Sequence, residues 1–290
     1  MDIVKIYECF PTEADCIAYL EKIRWGDIPK CPYCKSEKVT PTPKGKRYHC
    51  NNCNTSFSVT VGTIFHHTHL PLQKWFLAIC IILNAKKGIA ARQLARDLHV
   101  NKDTAWRMDM KIREAMSERE QRELLTGIVE CDETYIGGKP RKGSGEPNKR
   151  GRGTKKIPVV GMAGRNGKVK VEVVRNRKLD SKSLKSLVRR NVDITTSTLV
   201  TDEFKGYIGI KMMMPHKVID HTVWYVDDDT HTNTIESFWA LLKRGIIGQY
   251  HKVSLRHLPK YIDEFSYRWN HRKHSDLFSL TLCRALGVNR

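Results

Sequence analysis

The sequence predicts a multidomain chain in which a small metal-held ribbon and a helical unit precede an α/β domain. Three observations predict it: two C-x-x-C pairs near the N-terminus, apolar residues at helical spacing between Leu72 and Met116, and alternating strand and helix patterns from Gly127 onward. The partition that follows is residues 1–30, 31–70, 71–120 and 121–290. At 290 residues the chain can bury more than one core. It carries 51 Lys+Arg against 31 Asp+Glu, a formal net charge of +20 spread along its length rather than confined to a tail. A polyanion is the natural partner, although charge alone also suits a ribosomal or membrane-surface protein. Met1-Asp2-Ile3-Val4-Lys5 is unlike a secretory signal, and the longest apolar run, Trp75 to Leu83, is too short to span a bilayer. The expectation is a soluble, cytoplasmic protein with no membrane partner.

Residues 1–30 read as a helical lead-in. Phe10-Pro11-Thr12-Glu13 supplies an N-cap, and Cys16, Ile17, Leu20, Ile23 and Arg24 follow at helical spacing. Residues 31–70 are the ribbon: Cys31-Pro32-Tyr33-Cys34, then fifteen residues, then Cys50-Asn51-Asn52-Cys53. Four thiolates in two knuckles suit one tetrahedral Zn²⁺, which closes a unit too small for its own core. With no position open to a substrate, that zinc is structural. A redox role would need a β-α-β setting that these pairs lack. Cys9, Cys16, Cys80, Cys131 and Cys283 are read as packing residues. Lys35, Lys38, Lys44, Lys46, Arg47, Tyr48 and His49 make the ribbon basic, which suits a DNA contact or a merely solvated face.

Residues 71–120 read as helices: Trp75 to Asn84, Ile89 to Leu98, a turn at His99-Val100-Asn101, and Lys102 to Ala115. A helix, a brief turn and a second helix match a helix-turn-helix, whose second member enters the major groove. Lys102, Asp103, Thr104 and Arg107 are its candidate DNA contacts, and a plain helical hairpin is the bland alternative.

From residue 127 the order is a strand at Gly127–Ile136, two more at Ile157–Ala163 and Val169–Val174, and a helix at Ser181–Arg190. A strand at Ser197–Thr201 runs into Asp202, followed by a short helix at Phe204–Ile208 and a strand near Lys217–Asp220. Then come long helices at about 232–244 and 255–272, the latter with Leu258, Tyr261, Ile262, Phe265 and Trp269 on one face. A three-stranded meander followed by helix, strand and helix is the order of an α/β ribonuclease H-like core. Between the first two strands, Lys139, Arg141, Lys142, Lys149, Arg150, Arg152, Lys155 and Lys156 lie among glycines, a composition that suits a loop binding DNA phosphates.

Three blocks carry a family resemblance: Asp132-Glu133-Thr134-Tyr135-Ile136-Gly137-Gly138-Lys139, Thr201-Asp202-Glu203-Phe204-Lys205-Gly206-Tyr207, and His231 through Arg244. They resemble bacterial insertion-sequence transposases of the DDE superfamily, and within it the ISXO-type enzymes, which carry an N-terminal zinc ribbon. The resemblance implies a catalytic set of Asp132, Asp202 and Glu236 holding Mg²⁺ or Mn²⁺. It implies further that the chain binds the terminal repeats of its element and target DNA, and forms at least a dimer. It would then act on the bacterial nucleoid. Hard cations want such carboxylate oxygens, and in-line phosphodiester displacement is helped by two of them about 4 Å apart. Lys243, seven residues after Glu236, shares its helix face and can reach a phosphate. Asn233 shares that face too and is the alternative third ligand. Glu133 and Glu203 are expected to point away from the aspartates they follow. Asp227-Asp228-Asp229 is read as a solvated loop cluster, with a metal site as the alternative, and His231 and His251 as loop residues without a role, with DNA contact or proton transfer as theirs. The other readings are a DNA-binding regulator whose catalytic domain no longer cuts, and a stand-alone metal-dependent nuclease.

Overall fold

Capping chemistry starts the first helices where the sequence places them. In a computed structural model, which describes residues 1–43, 46–117, 123–137, 156–219 and 231–288, Thr12 and Asp15 form a reciprocal capping box at the start of α2 (Glu13–Trp25). A further short helix, α1 (Ile3–Cys9), precedes it and is capped by Asp2. Helix α3 (Leu72–Asn84) has no side-chain cap of its own. The Glu13 carboxylate supplies one from α2, accepting from the Leu72 N–H at 2.8 Å. α4 (Ala91–Asp97) and α5 (Lys102–Ala115) pack across a turn in which His99 takes a left-handed φ of 49° and Asn101 caps α5.

The chain divides into two units, Met1–Met116 with His274–Arg290, and Ser117–Lys273. This changes the expected partition in two places. The last helix, α9 (Leu277–Ala285), belongs to the first unit rather than to the α/β domain: Phe278 stacks edge-on against Phe76, and Ser279 bonds Tyr19 at 2.7 Å. Its apolar face is a periodicity like any other, and nothing in that periodicity names the partner. The lead-in is equally inseparable from the ribbon, because Trp25 at the end of α2 packs edge-on against Tyr48 and Phe57, 5.5 and 5.9 Å between centroids. The ribbon strands β1 (Val39–Pro41), β2 (Tyr48–Cys50) and β3 (Thr55–Phe57) form an antiparallel sheet. Cys16, Cys80, Cys131 and Cys283 are buried as expected, but Cys9 is exposed at the end of α1.

The second unit is a five-stranded mixed sheet of β4 (Leu125–Ile136), β5 (Ile157–Gly164), β6 (Val169–Val173), β7 (Val192–Thr201) and β8 (His216–Val218). Its order is β6-β5-β4-β7-β8; the meander β4-β5-β6 is antiparallel, and β7 and β8 run parallel to β4. The elements follow the predicted order. β7 starts earlier than the alternation suggested, directly at the end of α6 (Ser181–Asn191), and the expected helix after Asp202 is one 3-10 turn, Lys205–Tyr207. Helices cover both faces. Leu184, Leu187 and Val188 of α6 pack over Val129, Cys131, Val160 and Met162. On the other face α7 (Asn233–Gly245) and α8 (Leu258–Asn270) bring Ile235, Phe238, Trp239, Leu258, Ile262 and Phe265 onto Val159 and Ala163. Doubly covered, β5 is buried at every position.

Gly161 decides how closely α7 approaches. It sits opposite Asp132 on β5, and a Cβ there would lie 2.5 Å from Trp239 Cζ2 and 2.7 Å from Ile235 Cδ1. Gly161→Ala should therefore destabilise the domain by about 1–3 kcal/mol in urea unfolding, because both clashing groups are packed in the core. Gly248→Ala, with nothing within 4 Å of its added carbon, should cost no more than about 0.5 kcal/mol. Equal effects would show that α7 does not rest on the sheet at this glycine.

Candidate active site and metal centre

Parallel strands with aligned ends put their following residues side by side. Cys131 of β4 pairs with Thr201 of β7, so Asp132 and Asp202 are neighbours at the point where β7 stops and β4 continues. Alternation sends Glu130 and Asp132 towards α7, and Cys131 and Glu133 towards the opposite face, where Tyr207 is buried. Carboxylate oxygens of Asp132, Glu133 and Asp202 nevertheless all lie within 4.8 Å of one another. Glu133 does point to the other face, as expected, but its carboxylate still joins the cluster. Beyond Cys131, β4 has no β7 partner, and this open edge lets acids from both faces approach Asp202.

Each member of the cluster is held. The Trp239 indole N–H donates to Asp132 Oδ2 at 3.0 Å, reaching over the space that Gly161 leaves open. Tyr207 donates to Glu133 Oε2 at 3.2 Å and lies 3.5 Å from the Cys131 sulfur. Asp202 Oδ1 accepts from the Phe204 N–H at 3.1 Å, closing a tight turn after the strand. In that turn a Cβ on Gly206 would meet Phe204 and Leu184 at 2.5 and 2.7 Å, so the glycine of this block makes room for packing. Burial, followed by the charges of Glu133 and then Asp202, pushes Asp132 up to about 7. Burial foremost also drives the Tyr207 phenol far above its ordinary value and the Cys131 thiol to about 12, so both stay protonated. Converging carboxylates that repel one another, one of them half-protonated near neutrality, are a donor set suited to a hard divalent cation.

The α7 residues stand differently. Glu236 is exposed, accepts from the Thr232 hydroxyl at 2.9 Å and is not a member of the carboxylate cluster. Asn233, the first residue of α7, and Lys243 are exposed as well. Two residues that periodicity does not single out anchor this helix: Trp239 and the fully buried Glu130, whose Oε2 accepts from the N–H groups of Thr234 and Ile235 at 2.8 and 3.0 Å. His231, expected to be an idle loop residue, lies with Nδ1 3.2 Å from Glu130. A buried acid in a strand is the signal that could have found Glu130. In the first unit Lys102 and Arg107 are exposed on α5 and Thr104 is half-buried. Lys156 is half-buried beside Gly137, while Lys139, Arg141, Lys142, Lys149, Arg150, Arg152 and Lys155 lie outside the described residues, as do Asp227, Asp228 and Asp229.

The ribbon cysteines converge as predicted. Cys31 and Cys53 Sγ are 3.6 Å apart and Cys34 and Cys50 Sγ 3.5 Å, with all four sulfurs within 4.8 Å of one another. Four sulfurs about 2.3 Å from a central zinc would be separated by about 3.8 Å, so the set fits a tetrahedral ion. Lys35 and Asn54, each directly after the second cysteine of its pair, take left-handed φ values of 63° and 53°, so the two knuckles turn alike. The Ser36 N–H foremost lowers Cys34 to about 6. Cys53 is pushed up to about 11: the Thr55 bond favours its thiolate, but burial and the other three thiols oppose it. Four sulfurs held this close together are a donor set suited to a cation.

Two outcomes follow. The purified chain should contain one zinc ion by elemental analysis. Cys31→Ser or Cys50→Ser should lose it together with the near-ultraviolet dichroism of the Trp25, Tyr48 and Phe57 cluster; retained zinc in both variants would refute the site. At the carboxylates, folded Asp132 binds its proton more tightly than the unfolded chain does, so stability without metal falls as pH rises from about 4 to about 7. A divalent cation held there would compete with that proton, so the effect of added Mg²⁺ on Tm should be larger at pH 8 than at pH 5 and should vanish in Asp132→Asn. A pH-independent effect would place the ion elsewhere.

Comparison with known proteins agrees with this architecture. Residues 124–270, just over half of the chain, match the family model of the ISXO2-like transposase domain, and residues 11–56 match that of the transposase zinc-ribbon domain. The second match takes in α2, in keeping with its packing on the ribbon. A protein described as "Uncharacterized protein in transposable element ISH50" from Halobacterium salinarum is 29% identical over 275 residues, covering 89% of this chain and 91% of its own. Among solved structures, the Mos1 transposase paired-end complex with left transposon end gives a TM-score of 0.29 at 12% identity, over 74% of this chain and 80% of that one. The Mos1 Strand Transfer Complex gives 0.31 at 14%, over 73% and 75%. These superpositions are too loose to carry residue correspondences. On the two domain matches, the chain belongs to the ISXO2-like family of insertion-sequence DDE transposases with an N-terminal zinc ribbon.

Proposed function

We propose that the chain cuts and joins DNA strands at the ends of its own element, with Asp132 and Asp202 as the paired metal ligands of a ribonuclease H-like domain and Glu236 of α7 as the third. The observation that carries this reading is the juxtaposition of Asp132 and Asp202 at the ends of adjacent parallel strands, with Asp132 half-buried and raised to about 7. Mg²⁺ or Mn²⁺, when bound there, helps activate the attacking oxygen and stabilise the leaving oxygen. Trp239 and Tyr207 orient the acids, and Lys243 on α7 contacts a phosphate of the bound strand. In the first step a water oxygen attacks phosphorus and the 3′ oxygen leaves as a hydroxyl. In the second, that hydroxyl attacks a phosphate of target DNA, displacing another 3′ oxygen. Asn233 remains the alternative to Glu236 on the same helix face.

DNA binding follows from a net charge of +20 and from the exposed Lys102 and Arg107 at the start of α5, read as the recognition helix of a helix-turn-helix. Thr104 and the basic segment from Lys139 to Lys156 add phosphate contacts, the ribbon zinc is structural, and synapsis of two ends calls for at least a dimer. No helix among the described residues is long and apolar enough to cross a membrane, which suits a protein acting on nucleoid DNA. One observation favours a second assignment within the same reading: Glu133, not Glu236, completes the carboxylate cluster.

The test is cleavage and joining of duplexes carrying the element's ends, with Mg²⁺, Mn²⁺ or chelator. Asp132→Asn, Asp202→Asn and Glu236→Gln should each lower the rate by about 100-fold or more with DNA binding intact, and Glu133→Gln by no more than about tenfold. Loss with Glu133→Gln but not with Glu236→Gln would move the third ligand to Glu133. Binding without metal-dependent cleavage would mark a DNA-binding regulator, and cleavage without joined products a nuclease.

A further inference from the structure

We infer that Glu130 is a positioning residue for strand cleavage and joining: its buried carboxylate locks the start of α7 to the strand that bears Asp132 and thereby sets where Glu236 stands. The inference rests on the assignment of Glu236 as a metal ligand. Glu130 is 0% exposed on β4, two residues before Asp132, and a charge so buried is tolerated only when fully satisfied. Its partners come from three places. Oε2 accepts from the Thr234 and Ile235 N–H groups, and Oε1 from the Thr234 hydroxyl at 2.9 Å. Arg165 Nε lies 3.0 Å from Oε1, on a backbone that itself donates to Ile128 of β4, and His231 Nδ1 lies 3.2 Å away.

This arrangement replaces a local helix cap. Thr232, in the N-cap position of α7, makes no capping bond; its hydroxyl donates to Glu236 Oε1 instead. The free N–H groups and positive end of α7 are taken up by Glu130, an acid from another element. Five residues further along, the Trp239 indole binds Asp132. α7 is thus tied to β4 at Glu130 and again at Asp132, and Glu236 lies in the short helical span between the ties. A displacement of about 1 Å in a group that must converge on a reaction centre can cost about 100-fold in rate. Glu130 itself is enclosed and points at the helix, so it acts through Glu236 rather than on DNA.

The experiment is a double-mutant cycle on the full chain, with metal-dependent cleavage and joining of duplexes carrying the element's ends as the readout. Glu130→Gln should lower kcat by about 10- to 100-fold, leave KM for DNA within about twofold, and make Glu236→Gln nearly silent in its background. An effect of Glu130→Gln that multiplies with that of Glu236→Gln would mean stability alone and would overturn the inference, as would wild-type kcat in Glu130→Gln. If Glu236→Gln alone is fully active while Glu130→Gln is impaired, the third-ligand assignment fails and the anchoring of α7 stands; if both are fully active, both fail. Should Glu130→Gln not fold, Thr234→Val, which removes only the hydroxyl bond, decides the matter. It should lower kcat about threefold to tenfold, again without multiplying with Glu236→Gln, and an unchanged kcat would overturn the inference.

Discussion

The parallel pairing of β4 with β7 is the constraint on which the site depends. Because Cys131 lies opposite Thr201, the residues that follow, Asp132 and Asp202, emerge together, and because β4 runs on past the end of β7, their carboxylates meet at an open edge. A slip of one residue would send Asp132 to the other face of the sheet and its neighbours into the wrong layer. The register is protected by burial on both sides. Val129 and Cys131 belong to the core under α6, while Glu130 and Asp132 belong to the side covered by α7.

Bringing acids together under a helix has an electrostatic cost, and the fold meets it in two ways. Glu130 accepts hydrogen bonds from two helix amides and a hydroxyl, with the Arg165 guanidinium and the His231 imidazole close beside Oε1. Asp132 is only partly satisfied, by one indole and the Glu133 backbone N–H, and is left raised to about 7 by burial and by the charge of Glu133. Two acids two residues apart on the same face thus have opposite fates. The satisfied one serves as a structural anchor, and the unsatisfied one as the group for which a cation can compete with a proton.

A recurring device joins the elements of each unit. Helices α3 and α7 both lack a capping side chain of their own, and both take a glutamate from elsewhere in the chain, Glu13 from α2 and Glu130 from β4. A cap supplied in this way does more than satisfy amides. It fixes one helix end against another element to within a hydrogen-bond length, something apolar packing alone does less directionally.

Much of this molecule is determined by sequence alone, because the signals involved are local. Two C-x-x-C pairs define a four-thiol site whatever surrounds them, the spacing of apolar residues defines most helices and strands, and three short blocks mark the family. Tertiary structure decided what depends on partners far apart in the chain. By sequence the C-terminal end falls in the α/β domain, and only the fold shows that α9 packs on Phe76 in the first unit, since an apolar face fits any complementary one. Alternation correctly turns Glu133 to the far face of β4, yet only the staggered strand ends bring its carboxylate beside Asp202. Gly161 and Glu130 lie outside the three blocks, and Trp239, though inside the third, is not marked there as a partner of Asp132. Their roles arise from one close crossing of α7 over β4 and β5, where a missing side chain, an indole and a buried acid happen to share the same few ångströms.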